Sequence, residues 1–368
     1  MVSISGWRGL AFGLIAWTGV AVSVAAAPEK PPAVVLVTID GVRWQEIFRG
    51  ADPTLVAQPK YVADDLKENA TKSWGDVPDR AAALTPFLHS VTAQGGVLIG
   101  NRDAGECAHV TNDMWFSYPG YNEILTGRPD NTITANEYGP NHNVTVLEWL
   151  NRQPAFRGKV SVVGNWDVFA DIVNSKRSGV PTNVGMRKAW PTEVMTARYA
   201  IEGLRRDNTR AMFVGFGDTD DYAHLGDYYQ YLSALNRADD WIRQIWETIQ
   251  ANPELRGRTT MIVTADHGRG DNPPDAWREH ASQTYLDKVA PDYLPEYRKT
   301  GISGSNNVWM VAIGPAVRAS GAGAYRGGVC AGSNQIAASM LTALGADWKA
   351  FDAGAGAPLA FIGGTPAQ

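Results

Sequence analysis

No long run of like charge interrupts the 368-residue sequence, whose 38 acidic and 33 basic residues leave a net charge of −5. That balance argues against a broad electrostatic surface for nucleic acid, although a mildly acidic protein can still hold an anion over bound metals. The glycine patterns GxGxxG and GxxxxGKS/T are both missing, which speaks against a nucleotide cofactor or P-loop NTPase function. Internal repeats, low-complexity tracts and the compositional bias of disordered chains are absent too. The chain is therefore long enough for one large or two modest globular domains with a well-buried core. After residue 24 no segment is apolar enough to span a bilayer. Cysteine is reduced to Cys107 and Cys330. These can pair in an oxidising compartment, and their separation along the chain does not decide whether they do.

The one long apolar run opens the chain. Arg8 precedes an apolar stretch over residues 9–24, and Ala25-Ala26-Ala27 supplies small residues for cleavage. A retained membrane anchor is the alternative, since the run is nearly long enough to span. Pro28, followed at once by Glu29 and Lys30, favours cleavage. On this reading residues 1–26 are a signal peptide, and residues 27–368 form a single soluble domain, periplasmic or secreted.

Residues 33–39 (AVVLVTI) form a continuous, largely β-branched run of the kind buried on both faces of a sheet. Similar runs recur at 159–164, 211–216, 259–264 and 308–313. Between them, residues 81–94, 121–125, 145–153, 192–205, 228–250 and 334–344 carry apolar positions at helical spacing. The alternation predicts an α/β fold with a central, mostly parallel sheet and helices on both faces. Residues 49–79 and 271–304, rich in Pro, Asp, Trp and Tyr, break the alternation and read as surface insertions covering an active site. Trp74 and Trp277 within them either pack or line a pocket.

Metal-compatible side chains follow three of the predicted strands: Asp40 after the first, Asp218-Thr219-Asp220-Asp221-Tyr222-Ala223-His224 after the one at 211–216, and Asp266-His267-Gly268 after the one at 259–264. Ligands of open α/β sheets sit beyond the carboxyl ends of strands, so these groups can converge. Carboxylate plus imidazole suits Zn²⁺, and paired ions serve phosphoryl chemistry. Taken singly, an Asp after a strand is more often a turn former or helix cap. Three such clusters in one chain are what carry the signal.

These residues resemble the alkaline phosphatase superfamily, in particular its nucleotide pyrophosphatase/phosphodiesterase branch. Ile39-Asp40-Gly41-Val42-Arg43 is similar to that family's first ligand strand, and Thr85-Pro86-Phe87-Leu88 to the helix that follows in many members. Ser117-Tyr118-Pro119, running on to Thr126-Gly127, resembles the branch's nucleophile segment. Asp220 and His224 match its DxxxH, Asp266-His267-Gly268 its DHG, and residues 335–345 its closing helix, so the likeness runs from about residue 33 to 344. The resemblance implies two divalent metal ions, zinc before manganese, and a small-molecule phosphate ester as substrate. Asp40, Asp266 and His267 would hold one ion, with the Ser117 oxygen bound to it. Asp220, His224 and one further histidine would hold the other; His280 is the only histidine after the DHG. Ser117 would attack in line, giving a covalent phosphoserine that water then cleaves. Asn136 is similar in place to an asparagine that donates to a phosphate oxygen, and Arg43 is a further candidate substrate-binding residue.

Each assignment has a plainer reading. Ser117 can simply start a helix before Pro119, and a helix N-terminus also favours an anion, so the two roles are compatible. Asp218 or Asp221 can stand in for Asp220, although the four-residue step to His224 favours Asp220. His89 reads as a packed or surface histidine, while His109 and His142 lie in polar loops near the nucleophile segment. Formylglycine sulfatases need Cys or Ser followed by x-Pro-x-Arg, and here Tyr121 stands where that Arg would be. Between ester classes, a dianionic monoester calls for an extra cation, and Arg43, Arg128 and Arg269 adjoin the motifs without a clear placement for that task. The aromatic insertions lean to a diester. A phosphomonoesterase, a phosphonate hydrolase and a non-catalytic exported metal-binding protein are the other readings.

Overall fold

A computed structural model describes residues 30–185, 192–206 and 208–364. The expected signal peptide over residues 1–26 lies outside them. The described residues from Pro31 onward form one compact unit.

Ten strands are present among the described residues: β1 Ala33–Ile39, β2 Val97–Ile99, β3 Ala108–His109, β4 Val160–Gly164, β5 Thr182–Asn183, β6 Ala211–Phe216, β7 Thr259–Thr264, β8 Asn307–Val308, β9 Met310–Ile313 and β10 Ala331–Gly332. Seven of them make the main sheet, in the order β2-β9-β7-β1-β6-β4-β5. β1 lies in its middle, parallel to β6 on one side and to β7 on the other, with Val37 beside both Val214 and Val263. Every residue of β1, β6 and β7 is buried, as their unbroken apolar runs require of strands covered on two faces. β9 and β2 are antiparallel to their neighbours and close one edge. The apolar run at 308–313 is thus a strand, but it divides at Trp309: Asn307–Val308 pairs in a second, three-stranded sheet, β10-β3-β8.

Helices surround the sheet. The longest, Tyr228–Ala251, buries Tyr228, Tyr231, Leu232, Leu235, Ala238, Ile242, Ile245 and Ile249, a stripe at three- and four-residue spacing. The Asp227 side chain starts it by accepting from the Gln230 N–H at 3.0 Å. The helical pattern at 81–94 is broken at Thr85-Pro86 into Arg80–Leu84 and Pro86–Ser90, since proline cannot donate to the preceding turn. Asp239, from the long helix, accepts the Phe87 and Leu88 N–H groups at 2.8 and 2.9 Å.

The two insertions differ from expectation in opposite ways. Within 49–79, Leu55, Tyr61, Val62 and Trp74 join the main hydrophobic core, so this segment is not a surface appendage. Residues 271–304 carry a small core of their own, Ala276, Ala281, Leu286 and Ile302. Trp277 is fully buried against Tyr61, Tyr228 and Tyr231. Cys107 and Cys330 are joined in a disulfide, bridging 223 residues beside the small sheet.

Candidate active site

Because β7, β1 and β6 are neighbours, the residues that follow them emerge side by side. Asp40 leaves β1 with its N–H on Phe216 O at 2.9 Å. Asp266 is fully buried, and its Oδ1 accepts the Gly41 N–H at 3.1 Å. Gly41 has φ +61°, and a Cβ there would lie 2.7 Å from Asp220 Oδ1, so only glycine allows this approach. His267 Nδ1 faces Gly268 O at 2.9 Å, which directs Nε2 to Asp40 Oδ1 and Asp266 Oδ2, each 3.4 Å away.

Six predicted side chains come together in two groups of three: Asp40, Asp266 and His267, then Asp220, His224 and His280. In the second, His224 Nε2 and His280 Nε2 are 3.1 Å apart and lie 3.5 and 3.7 Å from the Asp220 carboxylate. Their other ring nitrogens are anchored, His224 Nδ1 by Glu279 at 3.3 Å and His280 Nδ1 by Trp115 O at 3.0 Å. Such partners orient imidazoles in metal sites. Asp218 is instead engaged elsewhere, with Glu193, Asn165 and Arg237. His267 and His280 stack with centroids 3.8 Å apart and join the two groups.

The donors fit a divalent metal. Asp40 Oδ1 and Asp266 Oδ2 are buried and accept no hydrogen bond, an expensive condition for carboxylate oxygens that a bound cation relieves. Carboxylate and imidazole ligands in threes suit zinc. Proton affinities reflect the crowding. Burial, then the Asp40 charge, pushes Asp266 well above the usual carboxylate range. His267, which burial alone would lower, is carried up to about 9 by Asp266 and Asp40. Burial, then His267, pulls His280 well below an ordinary histidine. Asp220 is held well below the carboxylate range, because the Arg269 charge and the histidines outweigh its burial.

Ser117 begins the Ser117–Thr126 helix, and its Oγ is 3.4 Å from His267 Nε2. This helix approaches Asp266 closely: a Cβ on Gly120 would lie 2.4 Å from Asp266 O. Tyr121 OH donates to Asp40 Oδ2 at 3.0 Å. Asn136 Oδ1 accepts the Tyr118 N–H at 3.0 Å, leaving its amide group able to donate.

Arg43 is not brought to the site. It is buried, paired with Glu46 three residues on, and donates to Gly270 O at 3.3 Å. Arg128 pairs with Asp352 at 52% side-chain exposure. His89 faces Ile47 O at 2.7 Å, and His142 binds Asp130 and Tyr138. Sequence reasoning missed Glu279, Tyr121 and the contact between Arg269 and Asp220. The only available signal was adjacency, Glu279 to His280 and Arg269 to the DHG.

A cleft of about 270 Å³ opens beside the second group, walled by Phe116, Asn136, Glu137, Tyr285 and Tyr293. A larger hollow of about 510 Å³, between the Thr192–Arg206 and Tyr228–Ala251 helices, holds no acid–histidine cluster, so we place the chemistry at the smaller cleft.

Comparison with known proteins agrees with this architecture. Residues 94–284, more than half of the chain, match the model of the metalloenzyme superfamily. The C-terminal periplasmic domain of EptC from Escherichia coli, in complex with Zn, superposes with TM-score 0.53 at 12% identity, over 92% of this chain and 88% of its own. A 2-O GAG sulfatase gives 0.51 at 10% identity, over 86% and 71%. Ps i-CgsB in complex with k-i-k-neocarrahexaose gives 0.53 at 12%, over 90% and 75%. These likenesses concern the fold. No curated protein sequence matches the chain.

Proposed function

The chain belongs to the metalloenzyme superfamily, the alkaline phosphatase-like family, and on that premise we propose that it is an exported hydrolase of phosphate esters, acting on diesters through Ser117. One observation carries the reading: Ser117 Oγ stands at a helix N-terminus, 3.4 Å from His267 Nε2, at the edge of the Asp40–Asp266–His267 group. Two divalent ions, zinc before others, would be held by the two groups of three, where they lower the pKa of a bound hydroxyl and neutralise phosphoryl charge.

The chain's own residues do the rest. The Ser117–Thr126 helix presents the Ser117 hydroxyl at its N-terminus, the end whose dipole favours an arriving anion. Asn136, pinned by Tyr118, offers its amide hydrogens from the cleft side. Ser117 Oγ bonds to phosphorus as the bond to the leaving alcohol breaks. Water then cleaves the phosphoserine, so each turnover consumes one water, one of whose protons ends on the alcohol. Positioning and fixed charge supply most of the acceleration in such transfers.

Three observations favour a diester over a dianionic monoester or a sulfate ester. No lysine or arginine lines the cleft among the described residues, and Arg269 is turned to Asp220 instead of outward. Tyr121, where a formylglycine sulfatase carries arginine, is committed to Asp40. No helix among the described residues is long and apolar enough to cross a membrane, which is compatible with export behind the opening apolar run.

The test is Ser117→Ala in the zinc-loaded protein. We expect both metals to remain while turnover of a nitrophenyl phosphodiester falls by at least about 1,000-fold. Full activity would refute the mechanism, and faster turnover of the matching monoester would refute the ester class.

A further inference from the structure

The four adjacent strands β4, β6, β1 and β7 begin at a basic end of the sheet. The segments that feed them, residues 28–32, 152–159, 205–210 and 252–258, hold nine basic residues and three acidic ones, in a chain of net charge −5. Backbone pairing gathers these entries. The Arg210 N–H donates to Lys159 O at 2.8 Å, the Val34 N–H to Arg210 O at 2.9 Å and the Ala33 N–H to Arg258 O at 3.1 Å. From this juxtaposition we propose that the rim formed by the amino ends of these strands docks on an anionic lipid membrane. Asp40, Asp220 and Asp266 follow the opposite ends of the strands, so a protein docked by this rim turns its acid–histidine groups away from the bilayer.

Two of the entries are the same turn. Arg157-Gly158-Lys159 and Arg256-Gly257-Arg258 each place glycine at φ +71°, where a Cβ would meet nothing within 4 Å. Arg157 and Arg256 are exposed on these turns. Arg210, beneath them, lies over the Phe156 ring at 4.6 Å. Burial, then the Arg258 charge, holds it below the ordinary arginine range, a sign of like charges crowded together. Glu254 reaches Arg258 only at 3.9 Å.

Clustered cations beside a bilayer are drawn to anionic headgroups. A membrane is favoured over other polyanions by what enters at this rim. Arg258 Nη1 donates to Pro31 O at 2.8 Å and Arg210 Nε donates to Pro32 O, so the chain arriving from the apolar run at 9–24 is held here. The six residues from Val24 to Lys30 reach about 20 Å at full extension, which keeps the rim near the bilayer while the run is attached. None of the exposed large apolar side chains among the described residues belongs to the rim. Binding is therefore electrostatic and yields to salt.

The test is sedimentation of residues 27–368, which contain the whole compact unit, with vesicles of about 30% phosphatidylglycerol in phosphatidylcholine. Binding at about 50 mM NaCl should be at least about 10-fold tighter than to pure phosphatidylcholine, and lost at about 500 mM. Arg157→Glu combined with Arg256→Glu should weaken it at least about 10-fold. Lys72→Glu combined with Lys299→Glu changes the net charge equally at exposed positions outside the rim and should leave binding within about twofold. Equal binding to both vesicle types, equal losses in the two variants, or retention on immobilised heparin without binding to vesicles would overturn the proposal.

Discussion

Arg269, 1% exposed, donates its Nη2 to Asp220 Oδ1 and its Nε to Gly41 O at 3.0 Å. A buried guanidinium therefore stands inside the acid–histidine cluster as an internal counter-ion. Arg269→Met should destabilise metal-stripped protein by about 3 kcal/mol, the cost of leaving a buried charge unpaired. The zinc-loaded protein should lose less, because a bound cation faces the same carboxylate. Urea unfolding with and without chelator supplies both values, and equal losses would contradict the counter-ion role.

His280 completes the second group, with Nε2 3.7 Å from Asp220 Oδ1. His280→Ala should lower the zinc content from about two ions per chain to about one and reduce turnover by about 100-fold or more. Asp266→Asn should empty the other group. Elemental analysis after gel filtration checks both, and two ions retained in either variant would remove that residue from the ligand set.

Glu123 is fully buried in the Ser117–Thr126 helix and collects bonds from the Thr111 N–H and hydroxyl and from the Asn112 N–H and amide. Asn112 Oδ1 in turn accepts the Trp115 N–H at 3.0 Å, and Trp115 O receives His280 Nδ1. Glu123→Gln puts an amide donor among these donors. It should cost about 2 kcal/mol and, through Trp115, weaken zinc binding about 10-fold. Thermal unfolding and a competitive chelator titration separate the two effects.

Asp239 is pushed up to about 6 by burial, against the pull of the Phe87 and Leu88 N–H groups. An aspartate in the unfolded chain titrates near pH ~3.9, so the native state holds this proton more tightly than the unfolded one. The resulting stabilisation is fully present below about pH 4 and is lost as pH rises through about 6. Relative to Asp239→Asn, the wild type should lose on the order of 3 kcal/mol between those limits. Paired denaturation curves at about pH 4.5 and about pH 7 test the sign; a parallel pH dependence in the variant would contradict it.

The Cys107–Cys330 disulfide closes a loop of 223 residues. Cys330→Ser should cost about 2–4 kcal/mol, and reductant should bring the wild type down by a similar amount while leaving the variant unchanged. Guanidinium unfolding in both redox states decides it.

Much of this was legible from residue order alone. The runs at 33–39, 211–216 and 259–264 announced buried strands because two covered faces leave no polar alternation. The acid–histidine motifs were legible because each follows such a strand. What the runs could not convey was direction: Met310–Ile313 is as apolar as its neighbours and runs antiparallel to Thr259–Thr264. Arg43 misled because a cation beside a motif looks the same whether it faces substrate or, as here, Glu46 within its own helical turn. Trp277 and Trp74 sat in polar stretches, and only tertiary packing against Tyr228, Tyr229 and Tyr231 drew them inward. The pairing of Cys107 with Cys330 depended on the small sheet, where Ala331 N–H meets Cys107 O at 3.0 Å.

The adjacency of β7, β1 and β6 also sets a schedule. Asp40 follows β1 and joins Asp266 and His267 beyond β7, while His280, also beyond β7, joins Asp220 and His224 after β6, so neither group of three exists until the centre of the sheet has closed. An unfolded chain offers only local pairs such as Asp220 with His224, which grip a cation weakly. Metal capture would then follow completed folding and not precede it, and bound ions would act as a latch that favours the finished state over every precursor. Such a latch would make folding effectively one-way wherever the metal is at hand.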